Sequence, residues 1–416
     1  MKRGIHSRLS ELRRSGEIKT GRQLAESMQV SQKDLLFPGE GREVETSFGR
    51  CYMRELQFPL EHKHGNTTLA GILTCCGNAL VLPSRDNTLA NLDPKRSLFL
   101  DVETTGLSGG TGTWAFLIGL GWLEESYFML RQYFLRRPVE ERAILRHFTD
   151  TAAEFSTMIT FNGKLFDLPL LQTRQMLAGL SQTEPRLHLD LLQCARNLWK
   201  KRLPSRSLRS IEESILGLQR LEDIPGAEIP GVYFDYLRRG ESGRIKQVFH
   251  HNALDILSMV TLLERVTQLA AGKSLEHPAE TLALGRLCLQ AGRHMEGIGY
   301  LQETSASSIA PLAEEAIMEL ALYYKRLGNW PEAVSLWEKT LLHPAANPIV
   351  YIELAKYYEH RCRDYQTALK MTEAAQAKIN RQVSNAPASS GEVSLQAIQR
   401  RLKRLKHRLA ATTFGG

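Results

Sequence analysis

The sequence predicts an α/β domain built on a mixed five-stranded sheet with flanking helices, followed by an all-α domain of helical repeats. Three observations carry the prediction. Apolar strand patterns stand close together at 97–102, 115–122 and 126–134. Strand and helix patterns then alternate, as in units that place helices on both faces of a sheet. From residue 278 onward only helical periodicity remains, with small residues recurring every 34 to 36 positions.

Residues 1–95 read as an extension of weak periodicity. The part before Pro38 is basic and polar, a composition expected to be partly disordered. The stretch Val44 to Leu82 contains strand-like pieces, among them Thr68-Leu-Ala-Gly-Ile-Leu-Thr74, expected to pack on the next domain. Pro83-Ser-Arg-Asp-Asn-Thr88 is rich in turn formers and marks the boundary. Within 96–272, Glu124-Glu125 leaves room only for a tight hairpin between the second and third strands, so that pair is antiparallel. Pro138 opens a helix over 139–153. The short apolar strand Thr157–Phe161, a helix over about 165–179, a strand at Leu187–Asp190 and a run of helices follow, the last from about Phe249 to Ala271. Over 278–382, Gly285, Gly292 and Gly297 align with Ala321, Gly328 and Ala333, and with Ala355, Arg363 and Ala368. A helix hairpin cannot bury its apolar face alone, so such copies must stack. Residues 383–416 read as a linker, Val383 to Gly391, and a basic helix.

A chain of 416 residues with 43% hydrophobic and 24% charged residues has the make-up of a globular protein of two or three domains. No run of 18 apolar residues offers a membrane span. The basic start, Met1-Lys-Arg-Gly, is not followed by the apolar core and cleavage site of a signal peptide. The six cysteines are irregularly spaced and read as reduced thiols, so a cytoplasmic location without a membrane partner is expected. A net charge of +8 suits an anionic polymer as partner. Much of that charge sits at Arg400, Arg401, Lys403, Arg404, Lys406 and Arg408, with no acid among them. The cluster reads either as a phosphate grip or as a solvated helix end.

The chemistry begins at Phe99-Leu-Asp101-Val-Glu103-Thr104-Thr105-Gly106. Residues two apart on a strand share a face, so both carboxylates project together. Like charges held half-buried are costly until a cation or proton neutralises them, and a divalent cation is the natural solution. Asp167 follows the turn Phe161-Asn162-Gly163-Lys164 and, taken alone, is an ordinary acid of a first helical turn. His251 and Asp255 stand four apart on the last helix of the domain and share a face. Asp190 ends a strand and reads equally as a site acid or a helix cap.

In this order and these contexts, strand Asp-x-Glu, then strand–turn–Asp, then helix His-x-x-x-Asp, the segment from Ser97 to about Ala271 resembles the DEDD exonucleases of the ribonuclease H-like superfamily. The Gly-rich stretch Leu107-Ser-Gly-Gly-Thr-Gly-Thr113, the segment Asp223-Ile-Pro-Gly-Ala-Glu-Ile-Pro and the appended repeats are similar to bacterial YprB-like predicted exonucleases. Leu320 to Ala333 places its small and turn residues as tetratricopeptide repeats do. The resemblance implies a ribonuclease H-like fold and a metal-dependent 3′–5′ exonuclease acting on single-stranded DNA or RNA with a 3′ end. It implies that Asp101, Glu103, Asp167 and Asp255 hold Mg²⁺ or Mn²⁺, two ions per site, with Asp101 bridging them. His251 would be the general base on the attacking water.

In the two common subtypes a Tyr stands four positions before the last acid, or a His five; this chain has His251 at the first spacing and His250 at the second. Helical geometry favours His251, because five residues carry His250 roughly 140° away from Asp255. Thr104, Thr105, Gly106 and Asn162 would meet the terminal nucleotide, with Lys164 and the basic run Lys200–Arg209 in reach of phosphates. Trp199 reads as a stacking platform or, more simply, as core. The repeats imply a protein partner. No Gly-Lys-Ser/Thr closes the Gly-rich stretch, so it is not a P-loop, and His62, His64, Cys75 and Cys76 lack zinc-site spacing. Two other readings remain, an inactive nucleic-acid-binding scaffold and an endonuclease of the same fold. The full set of four acids argues against the first, and a requirement for a free 3′ end separates the second.

Overall fold

The computed structural model describes residues 41–106, 112–240, 243–341, 347–383 and 395–413. The expectations for the segment before Pro38, for most of the Gly-rich stretch and for the linker at 384–391 lie outside these residues. The chain divides into two compact units, one ending at Leu275 and one beginning at Glu276.

The first unit opens with β1 (Gly41–Thr46) and β2 (Gly49–Pro59), the small hairpin β3 (Lys63–His64) and β4 (Thr67–Thr68), a helical turn over Leu69–Thr74, and α1 (Gly77–Ser84). It continues with β5 (Ser97–Thr104), β6 (Ala115–Leu123), β7 (Tyr127–Phe134), α2 (Glu141–Ala153), β8 (Thr157–Thr160), α3 (Asp167–Leu177), β9 (Leu187–Asp190) and α4 (Leu191–Trp199). The short α5 (Leu208–Ile211), α6 (Ile229–Arg239) and the long α7 (Ile245–Ala270) complete it. The main sheet runs β1-β2-β7-β6-β5-β8-β9. Pairing is antiparallel from β1 across to β5 and parallel from β5 through β9. All nine residues of β6 are buried, as expected of a central strand covered on both faces.

The sheet therefore has seven strands, not the five expected, because β1 and β2 join it as an edge rather than packing on it. Charges hide them in the sequence. Arg50, Arg54, Glu55 and Gln57 interrupt the apolar period of β2, and Glu55 is held by Arg131 of β7 at 2.7 Å and Arg42 of β1 at 3.1 Å. Such cross-strand ion pairs suit an edge. Thr68–Thr74 is a second correction: the chain makes a helical turn there, burying Leu69 and Ile72 three residues apart.

Helix α7 lies close against the sheet because β6 supplies Gly119 and Gly121. A Cβ on Gly119 would stand 2.2 Å from Asn252 Oδ1, and one on Gly121 2.6 Å from Ile256 Cγ2. The helix starts at Ile245, earlier than the expected Phe249, so His250 and His251 both lie within regular helix. Trp199 is fully buried, hence core. All six cysteines are free thiols, and among the described residues no helix is long and apolar enough to cross a membrane.

The second unit is helical: α8 (Pro278–Gln290), α9 (His294–Ser305), α10 (Ala310–Arg326), α11 (Trp330–Leu341), α12 (Pro348–Tyr357), α13 (Tyr365–Val383) and α14 (Leu395–Thr413). Successive helices pack on one another around small cores, such as Ala321, Ala333, Trp337, Val350 and Leu354. The basic helix α14 buries Ile398, Leu402 and Leu405 along one face. Its Arg401 and Arg404 reach the buried Glu359 at 2.5 and 2.8 Å, so part of the C-terminal charge is used inside the fold rather than presented to solvent.

Candidate active site

Strand β5 carries Asp101 and Glu103 on one face, and a register irregularity follows Glu103 before the last pair, Thr104 with Ala115. Thr104 Oγ1 donates to Gly106 O at 2.9 Å, and Trp114 N donates to Thr105 Oγ1 at 3.0 Å. The two hydroxyls thus hold the turn that follows the acids. Next to β5, strand β8 ends in a tight turn in which Asn162 takes the left-handed conformation, φ 70°. Gly163 is required there, since a Cβ would come within 2.6 Å of Thr160 Cβ. The turn delivers Asp167 to the first turn of α3. Asp190 caps α4 through Leu192 N at 3.0 Å and accepts from Asn162 N at 2.8 Å, so it organises the turn.

Helix α7 brings the remaining groups. Asn252 Nδ2 donates to Asp101 Oδ2 at 2.7 Å, while its Oδ1 accepts from Gln132 Nε2 of β7 at 2.8 Å. This amide bridge ties helix, central sheet and first acid together. One turn along, Asp255 and Asp101 line a common cleft of about 460 Å³ with Asn162, Arg196 and Arg206. Glu103 and Asp167 feel the same charges, because burial first and then the neighbouring carboxylates push both well above the usual carboxylate range. Burial and Asp255 push Asp101 up to about 7. Asp101, Glu103 and Asp167 thus stand within electrostatic reach of Asp255, far along the chain. His251 stands beside them, with Nε2 3.7 Å from Asp255 Oδ2. His250 is exposed and lines a different cleft.

Sequence reasoning missed the groups behind Asp255. The Arg220 guanidinium contacts Asp255 and the fully buried Glu212, and reaches Asp223 at 3.1 Å. Asp223 in turn lies 2.9 Å from His251 Nδ1. An ionised carboxylate accepts only, so Nδ1 keeps its proton and Nε2 faces Asp255. Burial opposes charging of His251, but Asp223 and Asp255 outweigh it and raise the imidazole above its ordinary value. Glu212 also accepts from Ser258 Oγ, which lies 2.8 Å from His64 Nε2. Arg220 and Glu212 carry no motif of their own, and the segment beginning at Asp223 stood out only for its resemblance to YprB-like proteins.

The donor set fits a hard divalent cation: oxygen ligands, like charges in low dielectric, and no ion pair on Asp101, Glu103 or Asp167 among the described residues. Among those residues no group of three or more His, Cys, Asp or Glu side chains is gathered closely enough to hold a metal ion, and Arg220 and His251 both lie against Asp255.

Residues 98–267, which span β5 to α7 and hold all these acids, match the model of the RNase_H superfamily. Over 377 residues the chain is 31% identical to the uncharacterized protein YprB of Bacillus subtilis (strain 168), covering 87% of each chain. The family B DNA polymerase of the hyperthermophilic archaeon Pyrobaculum calidifontis is similar at 16% identity over 48% of this chain and 30% of the polymerase. The TM-score of that superposition is 0.34. With both units included in the YprB alignment and the four acids inside the matched domain, the chain belongs to the YprB family and carries an RNase_H superfamily domain.

Proposed function

We propose that the protein is a DEDD-type, metal-dependent 3′–5′ exonuclease that hydrolyses phosphodiester bonds of single-stranded nucleic acid. Nuclease activity is common in the superfamily to which its domain belongs. The single observation that carries the reading is the cleft lined by Asp101 of β5 and Asp255 of α7, with Glu103 and Asp167 within electrostatic reach of both and His251 3.7 Å from Asp255. These four carboxylates would hold Mg²⁺ or Mn²⁺, two ions, which when bound supply Lewis-acid activation of water and of the leaving oxygen. His251 removes the proton of the attacking water through Nε2, and Asp223 positions its ring and favours the imidazolium that results. Arg196 and Arg206, at the rim of the cleft, meet the phosphates of the strand. The backbone of Thr104, Thr105 and Gly106 and the Asn162 side chain border the terminal nucleotide. The helix pairs of the second unit we read as tetratricopeptide-like repeats that recruit a protein partner, in the cytoplasm. A second reading, an inactive nucleic-acid-binding scaffold, is favoured by one observation: Arg220 already neutralises Asp255.

The test is degradation of end-labelled single-stranded DNA and RNA by the full chain with Mg²⁺ or Mn²⁺. Stepwise shortening from the 3′ end, abolished by Asp101→Asn with strand binding retained, supports the exonuclease. Equal degradation by wild type and variant, or none by either, overturns it.

A further inference from the structure

We propose that the exposed face of α14 is a phosphate-binding surface, on which Arg400, Lys403 and Lys406 of the second unit hold the backbone of a nucleic-acid strand. The choice of nucleic acid as the anion rests on the nuclease reading. At about 100° per residue, α14 divides into three faces. Ile398, Leu402 and Leu405 form the buried one, the first two clustering with Ile352, Ala375 and Ile379 of α12 and α13. Arg401, Arg404 and Arg408 form a flank that is engaged within the fold, the first two by the buried Glu359 and Arg408 over the Tyr365 ring at 5.3 Å. Gln396, Gln399, Arg400, Lys403, Lys406 and His407 make the third face, and all six are exposed.

Packing does not account for the third face. The apolar face and the pairs with Glu359 suffice to dock the helix, and a merely solvated face mixes both signs of charge. Here no acid occurs from Leu395 to Thr413, so Arg400 repels Lys403 three positions on and Arg404 four positions on. Among the described residues Arg400 and Lys403 have no carboxylate partner, and Lys406 has only Glu373 at 3.9 Å, with side chains 64% and 51% exposed. A row of phosphates relieves this repulsion and asks nothing of base sequence. A membrane surface would require the apolar side chains of the same helix to insert, and those are committed to the core. A protein interface is built around aromatic and aliphatic side chains, and none of the large hydrophobics exposed among the described residues lies on α14.

The experiment is fluorescence anisotropy of a labelled oligothymidylate with the full chain in EDTA, over a series of salt concentrations, so that binding is read without hydrolysis. Each phosphate contact contributes about 0.7 to the slope of log affinity against log salt for a single strand. Arg400→Gln/Lys403→Gln/Lys406→Gln removes three cations, so the slope should flatten by about 2 and affinity at about 0.1 M salt should fall roughly tenfold or more. Arg400→Lys/Lys403→Arg/Lys406→Arg keeps the charge and should behave as wild type. Neither variant should lower the thermal midpoint, because all three side chains are exposed. Equal slopes for the glutamine variant and wild type overturn the proposal, as does a loss that the charge-keeping variant shares. An equal loss of affinity for a polyglutamate peptide makes the partner an acidic protein and overturns the assignment to nucleic acid. The two readings fail separately: equal slopes alongside shortening from the 3′ end sink only this surface, and a flattened slope without degradation sinks only the exonuclease.

Discussion

Arg220→Met removes the guanidinium that, among the described residues, the fold places against Asp255 of the carboxylate cluster. The Arg220 side chain is 4% exposed; of its partners, Glu212 is 0% and Asp223 3% exposed, while Asp255 retains 18%. Deleting one partner of a buried ion pair costs about 3–5 kcal/mol, because the other charge stays behind uncompensated. Glu212 is the costly orphan, since Ser258 is left as its hydrogen-bond donor and no water reaches it. Each kcal/mol moves the midpoint of a unit this size by about 2–4 °C, so the transition of the first unit should fall by roughly 10 °C in EDTA. Scanning calorimetry on the full chain reads this directly. Mg²⁺ should then restore part of the loss, since an ion at ten times its Kd adds about 1.4 kcal/mol to the state that binds it. Wild type should respond less, because Arg220 already sits on Asp255. A midpoint within about 2 °C of wild type in EDTA, or equal responses of both proteins to Mg²⁺, refutes the view that Arg220 is the resident counter-charge.

Three further outcomes are expected. Gly119→Ala drives a methyl group into Asn252, 2.2 Å from its Oδ1, and should cost about 1–3 kcal/mol in urea unfolding together with the Asn252–Asp101 bond; a silent substitution would mean that α7 is free to shift. Asp223→Asn removes the negative charge that helps raise His251, so the acid limb of the nuclease pH–rate profile should move to lower pH while kcat falls more than KM rises; an unmoved limb excludes His251 as the base. His64 and His188 are both lowered to about 4, chiefly by burial. Their folded values lie below the unfolded one, so the stability they contribute is complete above about pH 6.5 and is lost as pH falls toward 4, at up to about 1.4 kcal/mol per pH unit for each histidine. Circular dichroism melts between pH 7 and 4 check this, and a flat profile contradicts the neutral, buried state of the rings.

The α/β architecture of the first unit was legible because its central strands are apolar runs bounded by turn residues. Leu98, Phe99 and Leu100 of β5 and the whole of β6 announce a sheet buried on both faces. The acids were legible for the opposite reason: Asp101 and Glu103 break an apolar strand at same-face spacing, where nothing structural wants charge. The edge strands were not legible, since the charge of Glu55 there is paired only across the sheet, with Arg42 of β1 and Arg131 of β7. The direction of the two neighbouring histidines was decided by where α7 begins, and its start at Ile245 turns His250 to one side and His251 to the other.

Read as a string, the chain specified its central strands and most of its longer helices, which depend on neighbours within a few positions, and it offered the four acids as candidates. Folding alone decided that Arg220 sits against Asp255, 35 residues away, that Asp223 orients His251 from 28 residues away, and that Asn252 joins Asp101 across 151. Local periodicity reports which face a residue takes. Charge pairing in a low-dielectric interior depends on distances in space, and those exist only once glycines such as Gly119 have let the helix close onto the sheet.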